Sequence, residues 1–524
     1  MYYESLGLGE ADILAKRDDQ VMTTAPRNSA GEFPSPARPP FPWVWLAALT
    51  ILAAGLRVIG LNRGLWLDEI TFLLITVRHP IAEIITVFPG DAQHPLYSIL
   101  ARLSILAFGE HVWSLRLPAV IFGVASVPAL YLLAVSVASR TEALLCAAFL
   151  ALSYHHVWFS QDARGYSTLA FWTILSTFFL LRGLRTGSRG PYAAYAIAAA
   201  LGAYTHLAMM FLIASHALIG AAGALSDWRR GRSLKRWKMP LEALLLTGGS
   251  TLLFYAPILL QVQKFFMKGP SGMKAVSNPH WAMWEAIRGL TAGLGTVGVL
   301  GAAAIVLACG AWSYLKQDRV VFACLVLPGI LTLGSVAVRG TMYPRFFFSL
   351  IGFAILILVR GMIVIPQSIR AHLRRGSPGL YPWLAPAATA VLAAMFFVSS
   401  AFSLVNNYRY PKQDFEGAIR FVEMETRNGD PVVTTGAATY PLRQYYAKPW
   451  DSVETAQKLR EICSRGRPVW LLYTMPRYLE DGLPAVNEMV RKEFTVIRVF
   501  HGTLGDGDVF VARFDPRNTN PPRT

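Results

Sequence analysis

The sequence predicts an α-helical polytopic membrane protein of about eleven spans that ends in a small extracytoplasmic α/β domain. Three observations lead there. The first is composition. Of 524 residues, 54% are hydrophobic and only 15% are Asp, Glu, Lys or Arg, against about a quarter charged in soluble domains. Such a chain is not disordered and does not suit a water-facing surface, so its solvent is lipid. The second is the recurrence of apolar runs that, as helices, cross about 30 Å of hydrocarbon. The third is where the charge sits. Residues 405–524 hold 17 Lys and Arg against 15 Asp and Glu, so nearly all of the net +17 lies upstream.

Residues 1–42 are polar and end in a stretch with Pro34, Pro36, Pro39 and Pro40. They lack the apolar core of a signal peptide. We expect a disordered cytoplasmic tail, with Met22 as an alternative start. Apolar runs follow at 43–60, 117–138, 142–158, 165–183, 192–206, 207–225, 242–262, 292–314, 320–338, 346–366 and 383–404. The stretch 192–225 has only Tyr204, Thr205 and His206 at its middle, so it reads as one long helix or a tight hairpin. Loop charge decides. With a cytoplasmic N-terminus and a hairpin, the inside loops hold Arg140, Arg185, Arg189, the run Arg229 to Lys238, Lys316, Arg319, Arg370, Arg374 and Arg375. Short basic loops stay on the cytoplasmic side. A single helix would put the 226–241 cluster outside, so the hairpin is favoured and the C-terminal domain is extracytoplasmic. The basic run lacks a nucleic-acid fold around it, which removes a nucleic-acid partner. Cys146, Cys309, Cys324 and Cys463 show no paired spacing, which disfavours a disulfide framework and a zinc site.

Residues 405–524 alternate helical and strand patterns. Helices are expected at 415–427, 454–462 and 483–494, and strands at 431–435, 468–474, 495–501 and 509–514. The segment 502–508, GTLGDGD, opens no helix and reads as a hairpin turn rather than a phosphate loop.

The candidate chemistry lies in the outer segments 61–116, 155–166, 263–291 and 339–345. Ionisable groups at a membrane protein's interior are functional candidates by default. Asp68 and Glu69 are adjacent, so they cannot share one helical face. One could act as a base while the other orients it or binds a cation; alternatively, Asp68 only caps a helix at 69–78. His94 precedes Pro95 at the start of an interfacial helix over 96–108, where it is either an anion-site donor or a capped surface histidine. Asp162 and Arg164 bracket a helix start, with two readings open: substrate binding, or simple capping and pairing. His206 sits between two spans. Arg345 follows Tyr343-Pro344 at a boundary, where an arginine can also snorkel. Together the set can bind a phosphate-bearing lipid and abstract a proton.

The order of these pieces is WLDE, HPLYSIL, WSLRLPAVIFGVASVPALYLL, SYHHVWFSQDARGYS, YTHL and YPRFF. It resembles the GT-C superfamily of polytopic glycosyltransferases. The bacterial members it resembles include rhizobial lipopolysaccharide-core glycosyltransferases, the aminoarabinose lipid A transferase and protein O-mannosyltransferases. The likeness is strong over about 43–225 and weaker over 226–404. It implies a polyprenyl-phosphate sugar donor, a glycan, lipid or protein acceptor, and action at the outer face of the bacterial plasma membrane. By the same resemblance, Asp68 matches the catalytic base with Glu69 as its companion. Asp162 matches an acidic motif on the acceptor side, and Arg345 matches an arginine that meets the donor phosphate. His94 stands where the aminoarabinose enzyme has a lysine before proline. Acidic motifs bind a divalent cation in some superfamily members, whereas the mannosyl and aminoarabinose branches imply no required cofactor.

The reaction implied is inverting transfer through an oxocarbenium-like transition state. Two other classes remain: a polyprenyl-lipid flippase, which predicts pseudo-symmetric halves and midplane charges, and a non-catalytic envelope assembly protein. The sequence shows no internal repeat, and its charges cluster at one face. Acceptor specificity is expected in 263–291, with Lys264, Lys268, Lys274 and Trp281, and in the C-terminal domain.

Overall fold

The structure, a computed structural model, describes residues 42–90, 93–267, 284, 287–291, 297–339, 344–374, 383–427 and 429–517. The tail expected over 1–42 therefore lies, but for its last residue, outside the described residues.

Each of the eleven apolar stretches holds a helix. In chain order the first segments are α1 (Trp43–Val58), α2 (Leu67–Phe72), α3 (Ile81–Thr86), α4 (Pro95–Phe108), α5 (Val112–Val137), α6 (Arg140–Leu152) and α7 (Tyr154–Ser160). Then come α8 (Tyr166–Thr186), α9 (Arg189–Thr205), α10 (Met209–Arg229), α11 (Lys238–Tyr255) and α12 (Leu259–Met267). The last long helices are α13 (Val297–Gln317), α14 (Arg319–Arg339), α15 (Ile351–Arg374) and α16 (Leu384–Arg409). Among the described residues, seven spans are long and apolar enough to cross a membrane, or eight if α6 and α7 count as one span bent by 56°. Helix α1, apolar but 16 residues long, falls just short on length. The stretch 192–225 is a hairpin: α9 stops at Thr205 and α10 starts at Met209.

The α6–α7 bend has a local cause. Ser153 stands between the helices, and its hydroxyl accepts from His156 N at 3.4 Å, starting α7 afresh. The carbonyls left free at the end of α6 turn to Arg57 of α1. Its guanidinium donates to Leu150 O at 3.3 Å and Ala151 O at 3.2 Å, while its Nε donates to Ser160 Oγ at 3.2 Å. Gly123 of α5 makes room for this, because a Cβ there would sit 2.2 Å from Ser160 Oγ. One buried arginine thus fixes where α7 points, and α7 leads straight into Gln161 and Asp162.

The C-terminal residues form α17 (Phe415–Glu425), α18 (Ala456–Cys463), α19 (Pro476–Gly482) and α20 (Pro484–Glu493) around a five-stranded sheet. Its strands are β1 (Val432–Thr435), β2 (Asp451–Val453), β3 (Val469–Thr474), β4 (Thr495–Phe500) and β5 (Val509–Phe514), in the order β2-β1-β3-β5-β4. β1 runs parallel to β2 and β3, while β5 is antiparallel to β3 and β4. The turn at 502–508 joins β4 to β5 as a hairpin, as expected. β2 and α19 are additions that short, weakly patterned segments did not announce.

β3 is buried along its whole length because both faces are covered. Val469, Leu471 and Tyr473 pack with α18 and α20. Trp470 and Leu472 face the other way and share one hydrophobic core with α17, Leu65, Ile70, Phe72, Tyr97 and Leu115. The sheet domain is therefore built onto the segment between α1 and α5 rather than tethered beside it. A strap, residues 410–414, runs between α16 and α17 at this junction.

Candidate active site

All seven candidate side chains lie at the end of the bundle where α1, α7 and α9 finish. Asp68 and Arg345 keep part of their exposure, whereas Glu69, Asp162, Arg164 and His94 are buried.

Glu69 belongs to the buried group. Its side chain is fully buried, as is its partner Arg116 on α5, to within 3%. Arg116 Nε donates to Oε1 at 2.7 Å, and Nη2 donates to Oε2 at 2.5 Å. Ala163 N donates to Oε1 at 2.7 Å and Trp66 N to Oε2 at 3.4 Å. Burial alone would raise the pKa of Glu69, but the Arg116 guanidinium, with help from Lys412, outweighs it and holds the carboxyl below its usual range. Arg116 also donates to Leu61 O at 2.8 Å, Arg63 O at 2.9 Å and Gly64 O at 3.2 Å, fixing the turn that leads into α2. All four donors converge on the two Glu69 oxygens inside a fully buried site. Trp66 is the residue at the N-cap of α2, and Glu69, not Asp68, reaches back to its N–H. The expected capping role of Asp68 is thus corrected, and the helix begins two residues earlier than 69.

Asp162 is also buried. Trp66 Nε1 donates to its Oδ1 at 2.8 Å, and the Lys412 ammonium lies 3.8 Å away. It does not pair with Arg164, so the expected cap-and-pair contact is replaced by one to a lysine 250 residues on. Burial raises the Asp162 pKa, and Glu69 nearby adds to the effect. Burial likewise pulls Lys412 down to about 8, against the attraction of Asp162 and Glu69.

Lys412 and Gln413 are the residues that sequence reasoning missed. Lys412 Nζ donates to Trp158 O at 2.9 Å and sits 3.5 Å from the centre of the Trp158 ring. Gln413 accepts from Leu67 N at 2.9 Å and donates to Thr474 Oγ1 at 2.8 Å. The 502–508 hairpin holds this strap down. Thr503 N donates to Pro411 O at 2.9 Å, Leu504 N to Lys412 O at 3.2 Å, and Trp158 Nε1 to Thr503 Oγ1 at 3.0 Å. Gly502 is required there, since a Cβ would lie 2.3 Å from Lys412 O. A lysine just past an apolar run gives no signal that separates it from a snorkelling one.

Asp68 is different from its neighbour. Its side chain keeps 27% of its exposure, and one oxygen meets Arg345 Nη1 at 3.2 Å. Arg345, 31% exposed, opens the 3₁₀ turn Pro344–Leu350 before α15. Beside this pair lie two imidazoles. His94 and His206 rings are 4.8 Å apart, and both adjoin Tyr166. His94 is fully buried, which overturns the surface-histidine reading. Gly165 permits its position: a Cβ there would lie 2.9 Å from His94 Nδ1. His206 Nδ1 accepts from Ala208 N at 2.9 Å, which places its proton on Nε2. Burial, then the positive charges of Arg164 and Arg345, pull His206 down to about 3. Burial, Arg164, His206 and Arg345 act on His94 in the same direction. Both rings are therefore neutral at physiological pH, and the positive charge beside them comes from the partly exposed Arg345 and the buried Arg164.

Among the described residues, no three His, Cys, Asp or Glu side chains are grouped as a metal ion would need. Lys268, Lys274 and Trp281, expected to shape specificity, lie outside the described residues, as do Asp91 and Ala92.

Residues 92–255 match the family model described as dolichyl-phosphate-mannose-protein mannosyltransferase. No curated protein matches the sequence. Among solved structures, the chain is similar to ArnT from Cupriavidus metallidurans in the apo state. That match has 12% identity and a TM-score of 0.53, and it covers 91% of this chain and 98% of that one. The undecaprenyl phosphate complex of the same ArnT matches at 14% identity and TM-score 0.53, covering 90% and 98%. AglB from Archaeoglobus fulgidus, an archaeal oligosaccharyltransferase in complex with an inhibitory peptide and a dolichol-phosphate, matches at 13% identity and TM-score 0.50, covering 86% and 72%. The likeness to these structures shows a shared fold of many long apolar helices with a small C-terminal sheet domain.

Proposed function

We propose that this chain is an inverting glycosyltransferase that moves a sugar from a polyprenyl-phosphate donor to an acceptor hydroxyl or phosphate at the extracytoplasmic membrane face. The observation that carries the reading is the pairing of an accessible carboxylate, Asp68, with an accessible guanidinium, Arg345, at 3.2 Å. Two of the solved structures that share the fold hold undecaprenyl phosphate or dolichol-phosphate, which supports the donor class.

The pair suggests an order of events. Arg345 exchanges the carboxylate of Asp68 for the incoming donor phosphate, aided by Arg164. That exchange leaves Asp68 unpaired. Its carboxylate takes the proton of the acceptor as the acceptor oxygen bonds to the anomeric carbon. The bond from that carbon to the phosphate oxygen breaks, and the electron pair leaves with polyprenyl phosphate, whose charge Arg345 meets. His94 and His206, being neutral, each offer a hydrogen bond and no charge. Glu69 and Asp162 hold the loop that carries Asp68. General-base assistance is worth about 10²–10⁴-fold. No metal is given a step.

The basic segments around Arg185–Arg189 and Arg229–Lys238 stand at the opposite end of the bundle from Asp68. The positive-inside rule favours a cytoplasmic position for that end, which supports an extracytoplasmic site and sheet domain. The acceptor is a lipid A or core sugar, another envelope glycan, or a protein. Proteoliposomes given a radiolabelled polyprenyl-phosphate sugar test the reading. Label should pass to an acceptor without net movement of the lipid. Movement without transfer would instead support a flippase, and neither would support an assembly role.

A further inference from the structure

At the end of the bundle away from Asp68 lies a cavity of about 1020 Å³, bounded by α8, α10, α14 and the turn before α11. Its two ends differ in chemistry. Arg185, Lys235, Arg236 and Arg319 stand together at the level of the connecting turns. Deeper, the walls are Leu181, Leu218, Ile219, Ala323 and Leu327. From Arg319 to Leu327 is eight residues of α14, about 12 Å at 1.5 Å per residue. The cavity is therefore cationic at its mouth and apolar for about two turns of helix below it.

The mouth is a built structure. Asp227 ties down its inner edge, accepting from Trp237 Nε1 at 2.8 Å and pairing with Arg236 at 2.5 Å. Gly223 lets the Trp237 ring lie against α10, since a Cβ there would be 2.2 Å from the indole. Asp318, the one lining acid, accepts from Val320 N at 2.9 Å and Val321 N at 3.1 Å at the start of α14. Among the described residues, the Lys235 and Arg319 side chains have no ion-pair partner. Two cations thus face the mouth uncommitted. The apolar walls continue outward into Leu225 of α10 and Ile330 and Leu333 of α14, all exposed on helices that lipid surrounds.

We propose that this cavity binds one anionic glycerophospholipid of the surrounding bilayer. Its phosphate would sit between Lys235 and Arg319, and one acyl chain would run down past Leu218, Ala323 and Leu327. Charge complementarity selects an anionic headgroup, and the depth of the apolar slot selects a chain-bearing ligand over a free anion.

The test uses the full chain purified in mild detergent, without a sugar donor, so its outcome is separate from that of the transfer assay. Native mass spectrometry follows retention of dioleoylphosphatidylglycerol, dioleoylphosphatidylcholine or inorganic phosphate. We expect a single phosphatidylglycerol adduct, retained about tenfold or more over phosphatidylcholine, since two cations act on the headgroup. The exposed double variant K235Q/R319Q should lower phosphatidylglycerol retention to the phosphatidylcholine level. A323W should remove both adducts by filling the slot, with elution volume as its control for folding. Equal retention of the two lipids by the wild type, or unchanged retention in K235Q/R319Q, would overturn the proposal. Displacement of the adduct by inorganic phosphate alone would overturn it too, showing a site for a free anion.

Discussion

Two adjacent carboxylates should respond in opposite ways to the same isosteric change. In Glu69→Gln, the amide supplies one acceptor oxygen where the carboxylate supplied two. Four donors face the group: Arg116 Nε and Ala163 N on one side, Arg116 Nη2 and Trp66 N on the other. Either orientation of the amide points an NH₂ at two donors and leaves the buried Arg116 charge without its counter-ion. Breaking a buried ion pair in this way costs about 3–5 kcal/mol, a large share of the roughly 5–15 kcal/mol that stabilises a typical domain. Asp68→Asn removes one contact of 3.2 Å between partly exposed groups. A pair of that kind is worth about 0–1 kcal/mol. Thermal unfolding in detergent, followed by tryptophan fluorescence, should show Glu69→Gln melting far below wild type and Asp68→Asn close to it. Transfer should be lost in Asp68→Asn at full stability. In Glu69→Gln, activity lost should track protein lost. A Glu69→Gln protein as stable as wild type yet inactive, beside an active Asp68→Asn, would show that burial has been misread and that Glu69 is the reacting acid.

Other outcomes follow from the same geometry. Gln413→Leu leaves the N–H of Leu67 without its acceptor, a loss of about 1–3 kcal/mol. Transfer should fall while the membrane helices stay folded, and limited proteolysis should show the sheet domain released more readily. Gly165→Ala drives a methyl into His94 and Thr205, at 2.9 and 3.0 Å. Overpacking of about 1–3 kcal/mol should appear as a lower melting temperature, and Gly165→Ser should be no better. His206 is held at about 3 when folded and returns to about 6.5 when unfolded. Between those values the unfolded chain binds more protons, so stability should be constant above pH 6.5 and decline as the pH drops below it. His94 acts in the same direction. Melting temperatures across pH 4–8 check this, and a His206→Gln variant should show a shallower acid decline.

Much of the architecture was legible because lipid leaves few options. Backbone groups in hydrocarbon must be satisfied within helices, so an apolar run of adequate length announces a span. The basic run at 229–238 made the 192–225 hairpin legible, because charge at a turn is a topological signal. Strand β3 was legible from PVWLLYT, since continuous burial needs apolar residues on both faces. Function-bearing contacts were legible only in part. WLDE and SQDARGY stood out as polar pieces, but nothing in them says that Glu69 meets Ala163 or that Trp66 meets Asp162. Those contacts join segments about 95 residues apart, and the third member, Lys412, comes about 250 residues later still. Capping preference pointed to Asp68, yet Arg116 holds Glu69 in place to do that work, and the tertiary pair overrides the local rule. His94 looked like a surface residue because Pro95 starts a helix; only Gly165 opposite reveals that it is enclosed. The 502–508 hairpin was identified as a turn, while its grip on Lys412 came from close backbone approach at Gly502.

In the proposed mechanism, Asp68 is the group that accepts the proton during sugar transfer. Wild-type protein and Asp68→Asn, reconstituted side by side with a panel of polyprenyl-phosphate sugars and envelope acceptors, should be compared by mass analysis of the products. Wild type should give a single-sugar mass increment that falls by about 10²-fold or more in Asp68→Asn. An undiminished increment with the variant, at equal reconstituted protein, would contradict it.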